Sequence, residues 1–365
     1  MVEMKTGIIY SPIYLSHRIG THVESHIRLE TIMEFIKENG ILDDENFKLI
    51  NPRKATIEQL KYVHTDRLIK EVQELCDLSE KTGRIQQLDM DTAVSAKTYE
   101  ASLFSVGGNL QCIDEIVSGN INNGFALVRP PGHHSNSNRC AGFCIFNNIA
   151  VATKYLLKEK GFKRVAIIDW DCHHGNGTQD IFYRGTEQGE VIIINSHQDP
   201  TYFYPGSGFF NEIGEDKGAG KIINFPMPPR SADDVIMLYF DQIVSPILNE
   251  FKPEFILISA GFDTHWTDRL TSMGWTYQAP ARYLEKIKNV AEKYSNGRIL
   301  ITLEGGYEVD KQAIAVYNCL QVLNNRRNGL IEEKPRTSTE DVLSYVNSNL
   351  IPKLKNVLSK YWNCL

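Results

Sequence analysis

Short runs of consecutive apolar residues recur along the chain, and each gives way to a polar, glycine- or proline-rich cluster. The runs Thr6–Tyr10, Phe125–Arg129, Arg164–Asp171, Glu190–His197, Lys221–Pro226, Glu254–Gly261 and Arg298–Glu304 predict strands, and stretches such as VAIIDWD and FILISAG suit strands buried on both faces. Helical patterns lie between them, near Glu24–Glu38, Ala96–Val117, Asn147–Lys158, Ser231–Glu250, Ala281–Lys293 and Asp310–Asn324. Strand–helix alternation of this kind predicts an α/β domain: a mostly parallel central sheet of about eight strands with helices on both faces. From about Asn328 the chain reads as a polar connection and helices over Thr339–Ser348 and Ile351–Tyr361, with no chemistry of their own, covering the sheet. Residues 1–365 are expected to form a single domain, with a core over about 5–325.

The polar clusters follow the strands in order. RPPGHH follows FALV, DCHHGNG follows VAIID, SHQDP follows VIIIN, AGFDTH follows FILIS, and LEGGY follows RILIT. Ligands of open α/β sheets bind outside the carboxyl ends of the strands. Five unusual clusters are therefore expected to meet on one edge.

Within RVAIIDWDCHH, Asp169, Asp171 and His173 sit two residues apart. On an extended chain they share one side, and Trp170 and Cys172 take the other. Two carboxylates and an imidazole are costly to bury unless a cation neutralises them. Zinc accepts such donors, and a catalytic zinc keeps three protein ligands and an open position. Iron(II) would suit the same set. A polar strand end with a helix N-cap is the plainer alternative. Asp263, after FILISAG, is the candidate third ligand. Asp268 competes, and reads rather as a loop-structuring residue. His133 and His134 could move a proton between water and a leaving amine, or be loop histidines without a role. Asp169 and Asn176 are suitable partners to orient them. Tyr307 could donate to an oxyanion, or simply pack.

Composition narrows the classes. The 365 residues are 42% hydrophobic and 23% charged, ordinary for a globular protein. A net charge of −6 argues against a general nucleic-acid binder but not against a cationic substrate. The seven cysteines form no CxxC pair, and free thiols in a reducing compartment are expected rather than a zinc clip at Cys140 and Cys144. Neither a secretory h-region nor an apolar run of membrane-spanning length is found. A cytoplasmic location without membrane contact is expected, with the nucleus left open. Oligomeric state is not legible.

Together these residues resemble the histone deacetylase family, of the arginase–deacetylase fold. The stretches VRPPGHH (128–134), GFCIFNNIAVA (142–152), DWDCHHGNGTQ (169–179), SAGFDTHWTD (259–268) and LEGGY (303–307) carry the resemblance, which runs from YSPIYLSH to about residue 325. HHGNG and GFCIFNN look more like class II and bacterial or archaeal members.

The resemblance implies a zinc-dependent deacetylase. Asp171, His173 and Asp263 would be the metal ligands, and His133 and His134 the tandem histidines, with His134 as main base and acid. Tyr307 would polarise the carbonyl, and Asp169 and Asn176 would orient the histidines. Phe143 and Tyr204 would wall an acyl-lysine tunnel, and Gly142 would offer a backbone acceptor. The family's potassium ion would take Asp169, Asp171, His173 and a position usually serine, here Asn195. HVESHIRL (22–29) lacks the family's prolines, which puts the entrance shape in question. Cys172 replaces an aliphatic residue and reads as core. Gly175 and His265 stand where two-manganese ureohydrolases carry aspartates, which favours a single metal. The implied substrate is the N-acetyl-lysine side chain of a protein. The alternative is a small acetylated amine such as an acetylpolyamine; Leu270, where polyamine-selective relatives often carry an acid, leans toward lysine. A non-catalytic acyl-lysine binder is the reading from another class.

Overall fold

The runs of Ile, Val, Leu and Phe fold as ten strands in the computed structural model, which describes residues 4–365. In chain order they are β1 (Thr6–Ile9), β2 (Phe47–Ile50), β3 (Gln86–Gln87), β4 (Ala93–Val94), β5 (Asn123–Ala126), β6 (Arg164–Asp169), β7 (Glu190–Gln198), β8 (Ile222–Met227), β9 (Phe255–Ala260) and β10 (Ile299–Leu303). β3 and β4 form a small antiparallel pair. The other eight make one sheet in the order β2-β1-β5-β10-β9-β6-β7-β8, with every pairing parallel. Parallel neighbours require crossovers, and those crossovers cover the sheet with helices. The central strands β6, β9 and β10 are accordingly buried almost throughout.

All seven expected strands are present, with ends displaced by up to three residues. The expected Phe125–Arg129 strand lies instead at Asn123–Ala126, because the chain leaves the sheet toward Pro130 and Pro131. Among the elements without a counterpart in the sequence reading are the short pair β3 and β4, the short helices Ile57–Leu60 and Asn176–Phe182, the strand β2 and the helix Asp66–Thr82. β2 is an edge strand whose Lys48 and Leu49 are exposed, so it lacks the apolar run of its neighbours. The helix Asp66–Thr82 was legible and missed: Leu68, Ile69, Val72, Cys76 and Ser79 are its buried face, at helical spacing.

The expected helix Ser231–Glu250 is found as Asp233–Tyr239, a π-helical turn Phe240–Val244, and Ser245–Phe251, in unbroken succession. The two helices expected near the C-terminus are one run, Glu340–Tyr345, a π turn Val346–Leu350, and Ile351–Leu358. This run seals itself with buried Val346, Leu350, Leu354 and Leu358, and Trp362 donates from Nε1 to the Gly220 carbonyl at 2.8 Å. All seven cysteines are free, and six are buried. Among the described residues no helix is long and apolar enough to cross a membrane.

Candidate active site

β6 ends at Asp169, and the chain turns out of the sheet on its own carboxylates. Asp169 Oδ1 accepts the Asp171 N–H at 3.1 Å, and Asp171 Oδ1 accepts the His173 N–H at 2.9 Å. Trp170 and Cys172 point into the core, Trp170 against Tyr283 with ring centroids 5.8 Å apart. The two-residue alternation thus persists beyond the strand. It sends Asp171 and His173 to meet Asp263, which follows β9. His173 Nδ1 lies 2.8 Å from Asp263 Oδ2 and 3.2 Å from Asp171 Oδ1. One ligand atom from each of the three lies within 4.8 Å of the others.

Among the described residues, no lysine or arginine pairs with Asp169, Asp171 or Asp263; their charged partners are imidazoles. Burial and the neighbouring Asp171 push Asp263 up to about 7. Burial also opposes ionisation of Asp171, but His133 and His173 hold its carboxyl below the usual range. A buried acid pair with one imidazole between them and no lysine or arginine in reach is a donor set that fits a divalent metal. Two glycines make the space. A Cβ on Gly261 would stand 2.1 Å from Asp171 Oδ2. The Gly305 N–H donates to that same oxygen at 2.9 Å.

A second cluster, His133, Cys144 and Glu304, is as compact but differently employed. Glu304 accepts from the N–H groups of Gly132 and His133 at 2.8 and 3.3 Å and from Ser259 at 3.1 Å. Burial pushes the Cys144 thiol far up, so it stays protonated. Glu304 thus braces the histidine loop from β10, a role the sequence reading did not assign.

The adjacent histidines have unlike partners. His133 Nδ1 is 3.1 Å from Asp169 Oδ2, and His134 Nδ1 is 2.7 Å from Asn176 Oδ1. Burial pulls both down. For His133, Asp169, Asp171 and Glu304 outweigh it and raise the ring to about 10. For His134, burial and then the neighbouring His133 and His173 rings carry it well below the usual histidine value. The proton affinities of the two rings, one on a carboxylate and one on an amide, thus move in opposite directions.

Tyr307 follows the Glu304–Gly306 turn. Its N–H donates to Asp268 Oδ2 at 2.9 Å, so Asp268 structures the loop and is not part of the candidate metal cluster. Burial keeps the Tyr307 phenol protonated. Arg28 donates to the carbonyls of Gly306 and Glu304, and its guanidinium sits 5.3 Å from the Tyr307 ring centre. The 22–29 segment therefore does two things. His22 meets Phe143 edge-on at 4.5 Å at the entrance, while Glu24 and Arg28 are buried beneath the Tyr307 turn.

A cavity of about 280 Å³ opens above the cluster. His133, His134, Asp171, His173 and Tyr307 line its depth, and Gly142, Phe143, Tyr204 and Leu270 its walls and mouth. Phe203 also lines it, stacked on His173 at 4.7 Å, and Asp91 is a further lining acid. Gly142 has φ +54°, and a Cβ there would lie 2.3 Å from His134. Asp169 and Asn176 stand behind the histidines. Asn195 is the register partner of Asp169 and is buried, but the hydroxyl beside the Asp169 carbonyl, at 3.4 Å, belongs to Ser196.

The histone deacetylase domain model matches residues 22–323. The chain is 38% identical to a probable deacetylase of Archaeoglobus fulgidus over 99% of both chains. It is 32% identical to the chloroplastic histone deacetylase 14 of Arabidopsis thaliana, over 85% of this chain and 74% of that one. The crystal structure of the HDA15 HD domain superposes with a TM-score of 0.86 at 29% identity, covering 99% of this chain and 96% of the other.

Proposed function

The chain belongs to the histone deacetylase family, and from that membership we propose that this deacetylase is zinc-dependent and acts on the N-acetyl-lysine side chains of proteins. The observation that carries the reading is the Asp171–His173–Asp263 cluster at the depth of an aromatic-lined cavity, flanked by one histidine on a carboxylate and one on an amide. Asp171, His173 and Asp263 would hold the ion. When bound, zinc supplies a Lewis acid for the acyl carbonyl and lowers the pKa of the attacking water.

The chain's own residues do the rest. Phe143 and Tyr204 sheathe the acyl-lysine stem, and the Gly142 backbone accepts from its amide. With its Nδ1–H held by Asn176, His134 turns the lone pair of Nε2 toward the cavity. It takes a proton from the attacking water and returns it to the leaving amine. His133, kept cationic by Asp169, adds positive charge where the oxyanion forms. Tyr307, a protonated phenol, donates to that oxyanion. A potassium ion beside Asp169, Asp171 and His173 would be structural, with Asn195 or Ser196 completing its shell.

Hydrolysis of an acetyl-lysine peptide and of acetylspermidine, with metal analysis of the purified protein, tests the reading. Stoichiometric zinc and faster turnover of the peptide are expected. Iron in place of zinc would change the metal assignment. Peptide turnover far below that of acetylspermidine would favour the small-amine alternative. Asp171→Ala should lose the metal, and full zinc retention in that variant would refute the ligand assignment.

A further inference from the structure

The loop between β9 and the next helix has two faces. Leu270 lines the tunnel mouth, while Trp266, Ser272 and Met273 line a separate cleft of about 330 Å³. Two arginines, Arg230 and Arg336, line that cleft as well. Arg230 follows β8. Arg336 lies in the connection after residue 323, beyond the part of the chain the family model matches.

Neither guanidinium pairs with a carboxylate among the described residues, and the nearby acids are engaged elsewhere. Glu333 accepts from His265 Nε2 at 3.0 Å, the Tyr277 N–H at 2.9 Å and Trp266 Nε1 at 3.4 Å. Asp234 accepts from Ser338 N and Oγ at 2.9 and 2.6 Å. These contacts pin both ends of the segment that carries Arg336. The guanidinium of Arg336 lies 4.5 Å from the Trp266 ring centre. Stacking there fixes its plane and leaves its edge N–H groups free for an oxyanion. Arg230 is held at φ +67° by its N–H bond to the Ser272 carbonyl at 2.6 Å. Two unpaired guanidiniums on one polar cleft, that of Arg336 set over Trp266 and that of Arg230 carried on a backbone held by Ser272, suit a carboxylate or a phosphate. With a net charge of −6 the protein offers acids no general attraction, so the preference must be local.

The surroundings indicate a polymer rather than a free ion. Tyr202 is 99% exposed at the tunnel mouth, and Trp266 and Leu270 are also exposed. An extended polypeptide crossing the mouth would cover them, whereas a small amine would not reach them. Resting on the acyl-lysine reading above, we propose that this cleft is a substrate subsite: it takes an acidic side chain of the polypeptide whose acetyl-lysine occupies the tunnel. The C-terminal segment then has a task beyond covering the sheet, since it supplies half of the subsite.

The test is a set of acetyl-lysine peptides in which one alanine, glutamate or phosphoserine is walked along either side of the modified lysine. At one placement the acidic peptide should show a KM about 3- to 10-fold below that of its alanine counterpart, with kcat unchanged. The glutamate and phosphoserine arms tell a carboxylate from a phosphate preference. Arg230→Gln and Arg336→Gln should each erase the difference while leaving alanine-peptide kinetics as in the wild type, which also controls for folding. Peptides turned over with no preferred placement, or a preference surviving in both variants, would overturn the subsite alone. Turnover of acetylspermidine with no turnover of any peptide would overturn the acyl-lysine reading and the subsite with it.

Discussion

Glu24 is wholly buried, and it stays ionised because two guanidiniums reach it, Arg129 at 2.7 Å and Arg28 at 3.1 Å. Burial opposes the charge, but the arginines lower its pKa to about 2. Beside it His17 is also buried, and burial together with Arg129 lowers that ring to about 3. Both groups bind protons more readily once unfolded, near 6.5 for histidine and 4.5 for glutamate. Their stabilisation is present above those values. It is lost as pH falls, first through His17 below about 6.5 and then through Glu24 toward about 2. Urea midpoints measured across that window should fall steadily on the acid side. Glu24→Gln should cost about 3–5 kcal/mol at neutral pH, because it strands two buried guanidiniums. An unchanged urea midpoint in that variant would show that Glu24 is not what compensates them. Tyr307, whose turn this cluster supports through Arg28, is a separate case. Tyr307→Phe should lower kcat by roughly 10²–10³ if the phenol donates to the oxyanion, with little change in melting temperature. Undiminished turnover would remove it from the chemistry.

At the level of elements, much was legible because buried parallel strands advertise themselves. VAIID, FILISA and ILITL stand apart from everything around them. What escaped notice did so for local reasons. β2 is an edge strand with two exposed positions, and its four residues carry too little pattern. The two π turns were readable in principle. Each is followed, one residue on, by a proline at a helix start, Pro246 after Phe240–Val244 and Pro352 after Val346–Leu350. Proline has no N–H for the preceding turn and crowds the carbonyl four residues back, so a wider turn relieves the helix without ending it. The candidate site was more legible than its supports. Asp171, His173 and Asp263 stand out as candidates by residue type and by their place at strand ends, whereas Arg28, at the start of a helix, and Glu304 and Asp268, in loops, come near the site only through the fold. Glycine positions between strand and site give a test. Gly261→Ala would drive a Cβ against Asp171, so metal affinity should fall about 10- to 100-fold while far-UV circular dichroism is retained. Unaltered metal affinity would mean that the strand end can yield.

For the molecule as a whole, the expectation that five clusters share one sheet edge holds because every pairing in the main sheet is parallel. Parallel order puts every carboxyl end on the same side, so residues as distant in sequence as His134 and Tyr307 line one cavity. The β2-β1-β5-β10-β9-β6-β7-β8 order could not be read from the strands themselves, since nothing in an isolated apolar run names its neighbour. That order bears on how the protein is made. β10 is the last strand in the chain, yet it lies between β5 and β9 and joins the first-made strands to the later ones. A nascent chain released up to residue 298 holds two half-sheets, each with a raw apolar edge, and all three candidate metal ligands but no bond from Gly305 to hold Asp171. Ribosome-stalled chains ending there should remain open to protease, and those extended past β10 and its covering helix should become resistant. Until that late strand arrives, the growing polypeptide depends on whatever shields those edges in the cell.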